Sequence, residues 1–285
     1  MQKYFKEIYM KNRGEGIWFF PREKEVQGMF SDTKQDRLFE LEDISWWFKY
    51  RAKVIYSIAK LYFQKDQDAF DVGGGNGYTT WCMQRKGYKV ACLEPSIKAC
   101  KNAKKRGVKT VICGTLEQQN IKDDSVPQFF LLDVLEHIEN DIEFLGLIRQ
   151  KLVPGGKILI TVPALQVLWS SEDDEAGHYR RYTVEQLKEK AAKAGFRICY
   201  ISYFFSFLFL PILLVRVGLE KIGLLKRNEK RTVEENRKIH NREFLERGGI
   251  VQLVLRILEK AELRRLIRNR KVWIGSSIIC VLERP

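Results

Sequence analysis

The stretch DAFDVGGGNGYTTWC, residues 68–82, places four glycines within five positions directly after a short apolar run. The apolar run reads as a β-strand, the glycines as a turn, and the residues after them as a helix. At a first strand-to-helix turn, glycine permits a tight bend and lets the main chain approach a ligand closely. In an open parallel sheet that turn lies beyond the carboxyl ends of the strands, where ligands bind. Two kinds of occupant suit it: a dinucleotide, or another adenosine-bearing cofactor. The spacing argues against the first. The pattern G-x-G-x-x-G counted from Gly73 needs glycine at 78, where the chain has Tyr78, and counted from Gly75 it meets Thr80. What fits is acid-x-G-x-G-x-G, carried by Asp71, Gly73, Gly75 and Gly77.

Outward from this turn, strand-like and helix-like segments alternate. YKVACLE is a strand and PSIKACKNAKKRG a helix between Pro95 and Gly107. VKTVIC and PQFFLLD are strands, and DIEFLGLIRQK is a helix running into a turn at Pro154, Gly155 and Gly156. KILITVP is a strand, TVEQLKEKAAKAG a helix with Thr183 as its N-cap, and FRICYIS a strand. This alternation predicts an α/β fold with a doubly wound, mostly parallel, seven-stranded sheet. Four regions are expected: a helical N-terminal cap (1–66), the core (67–203), an apolar and basic helical insertion (204–271), and a last strand completing the sheet (272–285).

The chain has 285 residues and a formal net charge of +14, which favours anionic partners such as nucleic acid, acidic lipid or phosphorylated substrates. Six cysteines show neither a C-x-x-C pair nor zinc-type spacing, so reduced buried thiols and no metal site are expected. The charged start, MQKYFKEIYMKNRGEG, lacks the apolar segment of a signal peptide, which predicts a cytoplasmic protein. Between Arg197 and Arg216 lie 18 uncharged residues. A strand takes the first of them and Pro211 interrupts the rest, leaving too few to span a bilayer at ~1.5 Å per residue.

The glycine pattern and the order of elements over 68–203 resemble class I S-adenosylmethionine-dependent methyltransferases. The resemblance implies S-adenosylmethionine as cofactor. The glycine turn would then pack on its methionine part, Asp71 would orient its ammonium group, and Glu94, ending the second strand, would accept from the ribose hydroxyls. It also implies that adenine lies by Thr115 or Leu116, although Thr115 replaces the acid of the commoner form. In LLDVLEHIEND, Asp133 and Val134 would border the methionine end, with Glu136 and His137 at the rim. His137 reads equally as a structural histidine opening a helix.

AGHYRRYT, residues 176–183, crowds His178, Tyr179, Arg180, Arg181 and Tyr182 into one loop at the same sheet edge. H-x-R-R-Y-T occurs in a bacterial branch of the family, together with a WWF-x-x-R element like Trp46, Trp47, Phe48 and Arg51. His178 is the candidate general base. Trp46, Arg51, His137, Tyr179, Arg180 and Arg181 are candidates for holding the acceptor; alternatively the arginines pair with Glu172, Asp173, Asp174 and Glu175. Between Arg216 and Lys271 stand 17 basic and 8 acidic residues. The apolar stretch 204–224 suits membrane or lipid contact, and the helix after 250 suits packing by its apolar face. The expected activity is methyl transfer to a small-molecule or lipid-linked acceptor, with peripheral contact at the inner membrane face. An RNA methyltransferase and a non-catalytic cofactor-binding or membrane-associated protein are the alternatives. Oligomeric state is not legible.

Overall fold

The computed structural model describes residues 2–5, 11–12, 16–19, 31–214 and 250–285. Two short strands, β1 (Lys11–Asn12) and β2 (Ile17–Phe19), precede helices α1 (Asp32–Ile44) and α2 (Trp46–Tyr62). The alternating part runs β3 (Asp68–Val72), α3 (Tyr78–Arg85), β4 (Lys89–Glu94), α4 (Ile97–Arg106) and β5 (Val111–Cys113). It continues through β6 (Val126–Leu132), α5 (Asp141–Lys151), β7 (Leu152–Pro163), α6 (Ser171–Ala176), α7 (Val184–Lys193) and β8 (Arg197–Phe204). Helices α8 (Ser206–Leu213) and α9 (Ile250–Ile267) lead to strand β9 (Ser277–Glu283).

All strands join one sheet, ordered β1-β2-β5-β4-β3-β6-β7-β9-β8. Pairing from β2 through β7 is parallel, while β9 lies antiparallel between β7 and β8. The fold is therefore the expected Rossmann-like methyltransferase fold. The sheet is nine-stranded rather than seven-stranded, because β2 pairs with β5 from Ile17 to Phe19 and β1 adds outside it. Ile17 is fully buried by this pairing, which covers what would otherwise be an open three-residue edge strand. The first 66 residues thus supply two strands besides their helices.

The local signals are realised where predicted. Ser96, after Pro95, caps α4 by accepting from the Ala99 amide at 3.2 Å, and Gly107 ends that helix at φ +98°. Thr183 and Gln186 form a reciprocal capping box at the start of α7. Strand β7 runs from Leu152 across the expected turn at Pro154–Gly156, where its register with β6 slips between Leu152 and Lys157 and Gly155 takes φ +75°. The main core has Phe70, Phe129 and Phe130 fully buried at its centre, and a second, smaller cluster around Cys92, Cys100 and Val111 lies under α4. Strand order reverses at β3, flanked by β4 and β6, so the crevice opens beyond the carboxyl ends of these three strands.

Helix α9 packs differently from its expected apolar face. Leu266 is buried, but Leu253, Val254, Ile257 and Leu258 are exposed, and the acids Glu259 and Glu262 face inward. Glu262 accepts from Tyr50 Oη at 2.8 Å, from the Phe205 amide at 2.9 Å and from Ser206. Polar anchoring thus fixes this helix on α2. Among the described residues no helix is long and apolar enough to cross a membrane. Residues 215–249, most of the basic insertion, lie outside the described residues, so the membrane expectation falls largely there.

Candidate active site

Three of the four glycines of the turn have positive φ: +69° at Gly73, +54° at Gly75 and +74° at Gly77. Their surroundings separate their duties. A Cβ on Gly73 would stand 2.5 Å from Val134, and one on Gly77 2.7 Å from Ala103, so both are packing glycines. A Cβ on Gly75 would meet nothing within 4 Å. Gly75 is where the bare main chain faces the crevice.

Asp71 is the penultimate residue of β3 and is buried beneath this turn. Thr80 donates to its Oδ2, while Oδ1 is buried without a hydrogen-bond partner among the described residues. Burial raises its pKa to about 6, against the pull of Thr80 and nearby Arg51. Glu94 links the turn to α4. Its Oε2 accepts from the Gly75 amide and its Oε1 from the Ser96 amide, both at 2.9 Å. Burial lifts Glu94 to about 7 even though both amides favour its anion. Each of its oxygens keeps a second lone pair, so ribose hydroxyls remain acceptable donors. These residues fit a cationic, adenosine-bearing ligand: an open cradle at Gly75, an orphaned buried oxygen on Asp71, and a carboxylate at the second strand end.

On the expected adenine side, Leu116 is buried in the core and Thr115 is half-buried beside it. Asp133 takes up φ +57°, and its two oxygens accept from Arg51 and Thr161, each at 2.8 Å. Val134 abuts Gly73.

Several acceptor candidates have other duties. The Arg51 guanidinium is buried, holding Asp133, Thr161 and Thr79 and so tying α2 to the sheet edge. Trp46 donates to Glu259 and stacks on Tyr50 with centroids 5.7 Å apart, so it fastens α9 rather than covering the crevice. Arg180 pairs with Asp141 at 2.8 Å, and Arg181 grips both oxygens of Asp173 at 2.9 Å. An acid lies within reach of each fork: Arg181 takes Asp173, one of the four neighbouring acids, whereas Arg180 takes Asp141, which is not among them. Tyr179 is exposed, and its amide donates to the Glu136 carbonyl at 2.8 Å.

This stitching brings His137 and His178 together, with ring centroids 4.6 Å apart. His178 Nδ1 lies 2.8 Å from Asp173 Oδ1. Burial pushes the Asp173 carboxyl up, but His178, Arg181 and Ser170 outweigh it and hold its pKa well below the usual range. An ionised carboxylate only accepts, so His178 carries its proton on Nδ1 and presents the Nε2 lone pair when neutral. Burial, then the neighbouring imidazole, depresses His137 to about 4. Glu136 is buried with Oε2 unpartnered among the described residues, and burial raises its pKa well above normal.

Glu136 was read only as a rim residue beside His137 and Asp173 only as one of four acids open to the arginines; tertiary pairing alone brings Asp173 onto His178. The docking of α1 was also missed. There Asn76 donates to the Gln35 carbonyl at 3.1 Å, and Arg106 pairs with Glu42 at 2.7 Å. A cleft of about 480 Å³ lined by Lys3, Asp68, Lys89 and Pro127 lies at the opposite, amino-terminal edge of the strands, away from these groups.

Residues 70–160 match the family described as "Methyltransferase domain". No curated protein sequence matches the chain. Among solved structures, the chain is similar to one from the complex between the Haloferax volcanii Trm112 methyltransferase activator and a methyltransferase. That match has 15% identity, covers 89% of this chain and 95% of that one, and has a TM-score of 0.56. It is also similar to Haemonchus contortus phosphoethanolamine N-methyltransferase 2, solved with S-adenosyl-L-methionine, at 19% identity over 93% of this chain and TM-score 0.56. The match spans 62% of that enzyme, less than two thirds of its length. A Thermotoga maritima S-adenosylmethionine-dependent methyltransferase matches at 15% identity over 89% of this chain and 96% of its own, with TM-score 0.53. At these identities the likeness shows the fold. The family match over residues 70–160 is to a methyltransferase domain, and the solved neighbours include enzymes that use S-adenosylmethionine.

Proposed function

We propose that this protein transfers the methyl group of S-adenosylmethionine to a small-molecule or lipid-linked acceptor. The observation that carries the reading is the open cradle at Gly75 with buried carboxylates at Asp71 and Glu94 on either side of it. Asp71 holds the ammonium group and Glu94 the ribose. Asp133, fixed by Arg51 and Thr161, shapes the methionine end.

The acceptor binds over Glu136, His137 and His178. His178 Nε2 takes the proton from an acceptor hydroxyl or amine as the acceptor atom bonds to the methyl carbon. The carbon–sulfur bond breaks, its electron pair stays on sulfur, and S-adenosylhomocysteine leaves. The sulfonium already activates the methyl group, so the protein's work is alignment, water exclusion and removal of one proton. Contact with anionic membrane through 204–271 accords with the exposed Leu210, Leu214, Leu253 and Ile257 and with the basic residues around them.

The test is incubation with methyl-labelled S-adenosylmethionine and cell extract split into lipid, RNA, protein and small-molecule fractions. Label in the lipid or small-molecule fraction is expected. Label in RNA alone would favour the RNA methyltransferase, and cofactor binding without any transfer would favour a non-catalytic role.

A further inference from the structure

We propose that Glu136, His137 and His178 form a binding site for a divalent first-row transition metal ion at the acceptor side of the crevice, although the sequence predicts no metal site. One donor atom from each residue lies within 4.8 Å of the other two. Donors around an ion bound at ~2.0–2.2 Å stand roughly 3–3.5 Å apart, so rotamer-sized movements close the set.

Two further observations point the same way. Glu136 is 1% exposed, and its Oε2 has no partner among the described residues, an arrangement that costs free energy unless a cation satisfies it. His178 is oriented from behind: Asp173 holds Nδ1 at 2.8 Å, and Arg181 and Ser170 in turn hold Asp173. A carboxylate fixing one imidazole nitrogen while the other faces a shared centre is the usual support of a metal-ligating histidine.

The fold sets up this convergence from two separate segments. Glu136 and His137 follow β6, His178 follows α6, and the segments are joined by the Tyr179 amide on the Glu136 carbonyl and by Tyr182 Oη on the Leu135 carbonyl at 3.1 Å. Two imidazoles and one carboxylate favour zinc, cobalt, iron or manganese over magnesium or calcium. Three protein ligands leave positions open for water or an acceptor oxygen. Metal and proton compete for the same lone pair on His178. With the ion bound, His178 is a ligand, and the acceptor oxygen, polarised by the ion, releases its proton to water.

Metal binding is read without turnover, so it succeeds or fails independently of the methyl-transfer reading. Chelator-stripped full chain is titrated with cobalt(II), followed by visible absorption, and then with zinc(II) by calorimetry. One equivalent should bind without thiolate charge-transfer absorption. Glu136→Gln and His178→Ala should each weaken binding at least tenfold, and Asp173→Asn about 10- to 100-fold. Circular dichroism and thermal melting serve as the check on folding. His178→Ala, at the rim, stands in should a buried variant not fold. No binding, a thiolate spectrum, or equal affinity in Glu136→Gln and His178→Ala would overturn the proposal.

Discussion

Replacing Gly75 with arginine separates ligand binding from stability. A Cβ at Gly75 meets no protein atom within 4 Å, so the new side chain enters the crevice without displacing its walls. The cost to the fold is confined to a non-glycine residue at φ +54°, about 1–2 kcal/mol. At about 2–4 °C of Tm per kcal/mol for a chain of this size, melting should fall by only about 2–8 °C. The cofactor, by contrast, loses its cradle to a bulky cation, and calorimetry with S-adenosylhomocysteine should show no measurable heat of binding. Gly77→Ala makes the complementary control. Its Cβ would stand 2.7 Å from Ala103 and 2.8 Å from Val108, so it should destabilise the fold by at least as much while leaving the crevice itself open. Unchanged affinity in Gly75→Arg would refute the placement of the ligand on this turn.

Four further outcomes follow from the geometry. His178→Ala should reduce turnover by about 10²–10⁴-fold with cofactor affinity nearly unchanged; equal turnover would remove His178 from proton transfer. Asp71, raised to about 6, must ionise to hold an ammonium group, so affinity should be roughly tenfold weaker at pH 5 than above pH 7. The free fold should respond in the opposite sense: with the folded pKa raised, Asp71 contributes most below its ordinary value, and that contribution declines as pH rises toward 6. Asp71→Asn should flatten the affinity profile, measured by calorimetry across pH. Glu262→Leu strands the Tyr50 hydroxyl and the Phe205 and Ser206 amides and should cost about 3 kcal/mol or more by urea unfolding. In liposome flotation the full chain should rise with acidic vesicles and not with neutral ones; failure to rise with either would end the membrane proposal.

The sheet from β3 to β8 was legible because its signals are local: short apolar runs alternating with helical stretches, Thr183 as a cap, and Pro95 and Gly107 as helix bounds. β2 was not, because three residues, Ile17 to Phe19, become a strand only by pairing with Val111–Cys113 far along the chain. The glycine turn and Asp71 could be read from spacing alone, whereas the burial of Arg51 could not. A guanidinium after a WWF element looks like a ligand-binding group until Asp133, Thr161 and Thr79 converge on it from three other elements. Arg180 and Arg181 posed the same ambiguity, since a basic pair beside four acids reads either way. The structure pairs Arg181 with Asp173, one of those acids, and Arg180 with the distant Asp141, each at 2.9 Å or less. The inward-facing acids of α9 contradict its apolar periodicity because α2 offers hydroxyl and indole donors where an apolar face was expected.

The central claim is that the main chain at Gly75 receives the cofactor between Asp71 and Glu94. A crystal structure of the complex with S-adenosylhomocysteine tests it most directly. The account predicts density running over Gly75, with the amino group near Asp71 and both ribose hydroxyls at Glu94. An empty crevice in crystals of protein known to bind the compound, or the compound seated elsewhere, would contradict it.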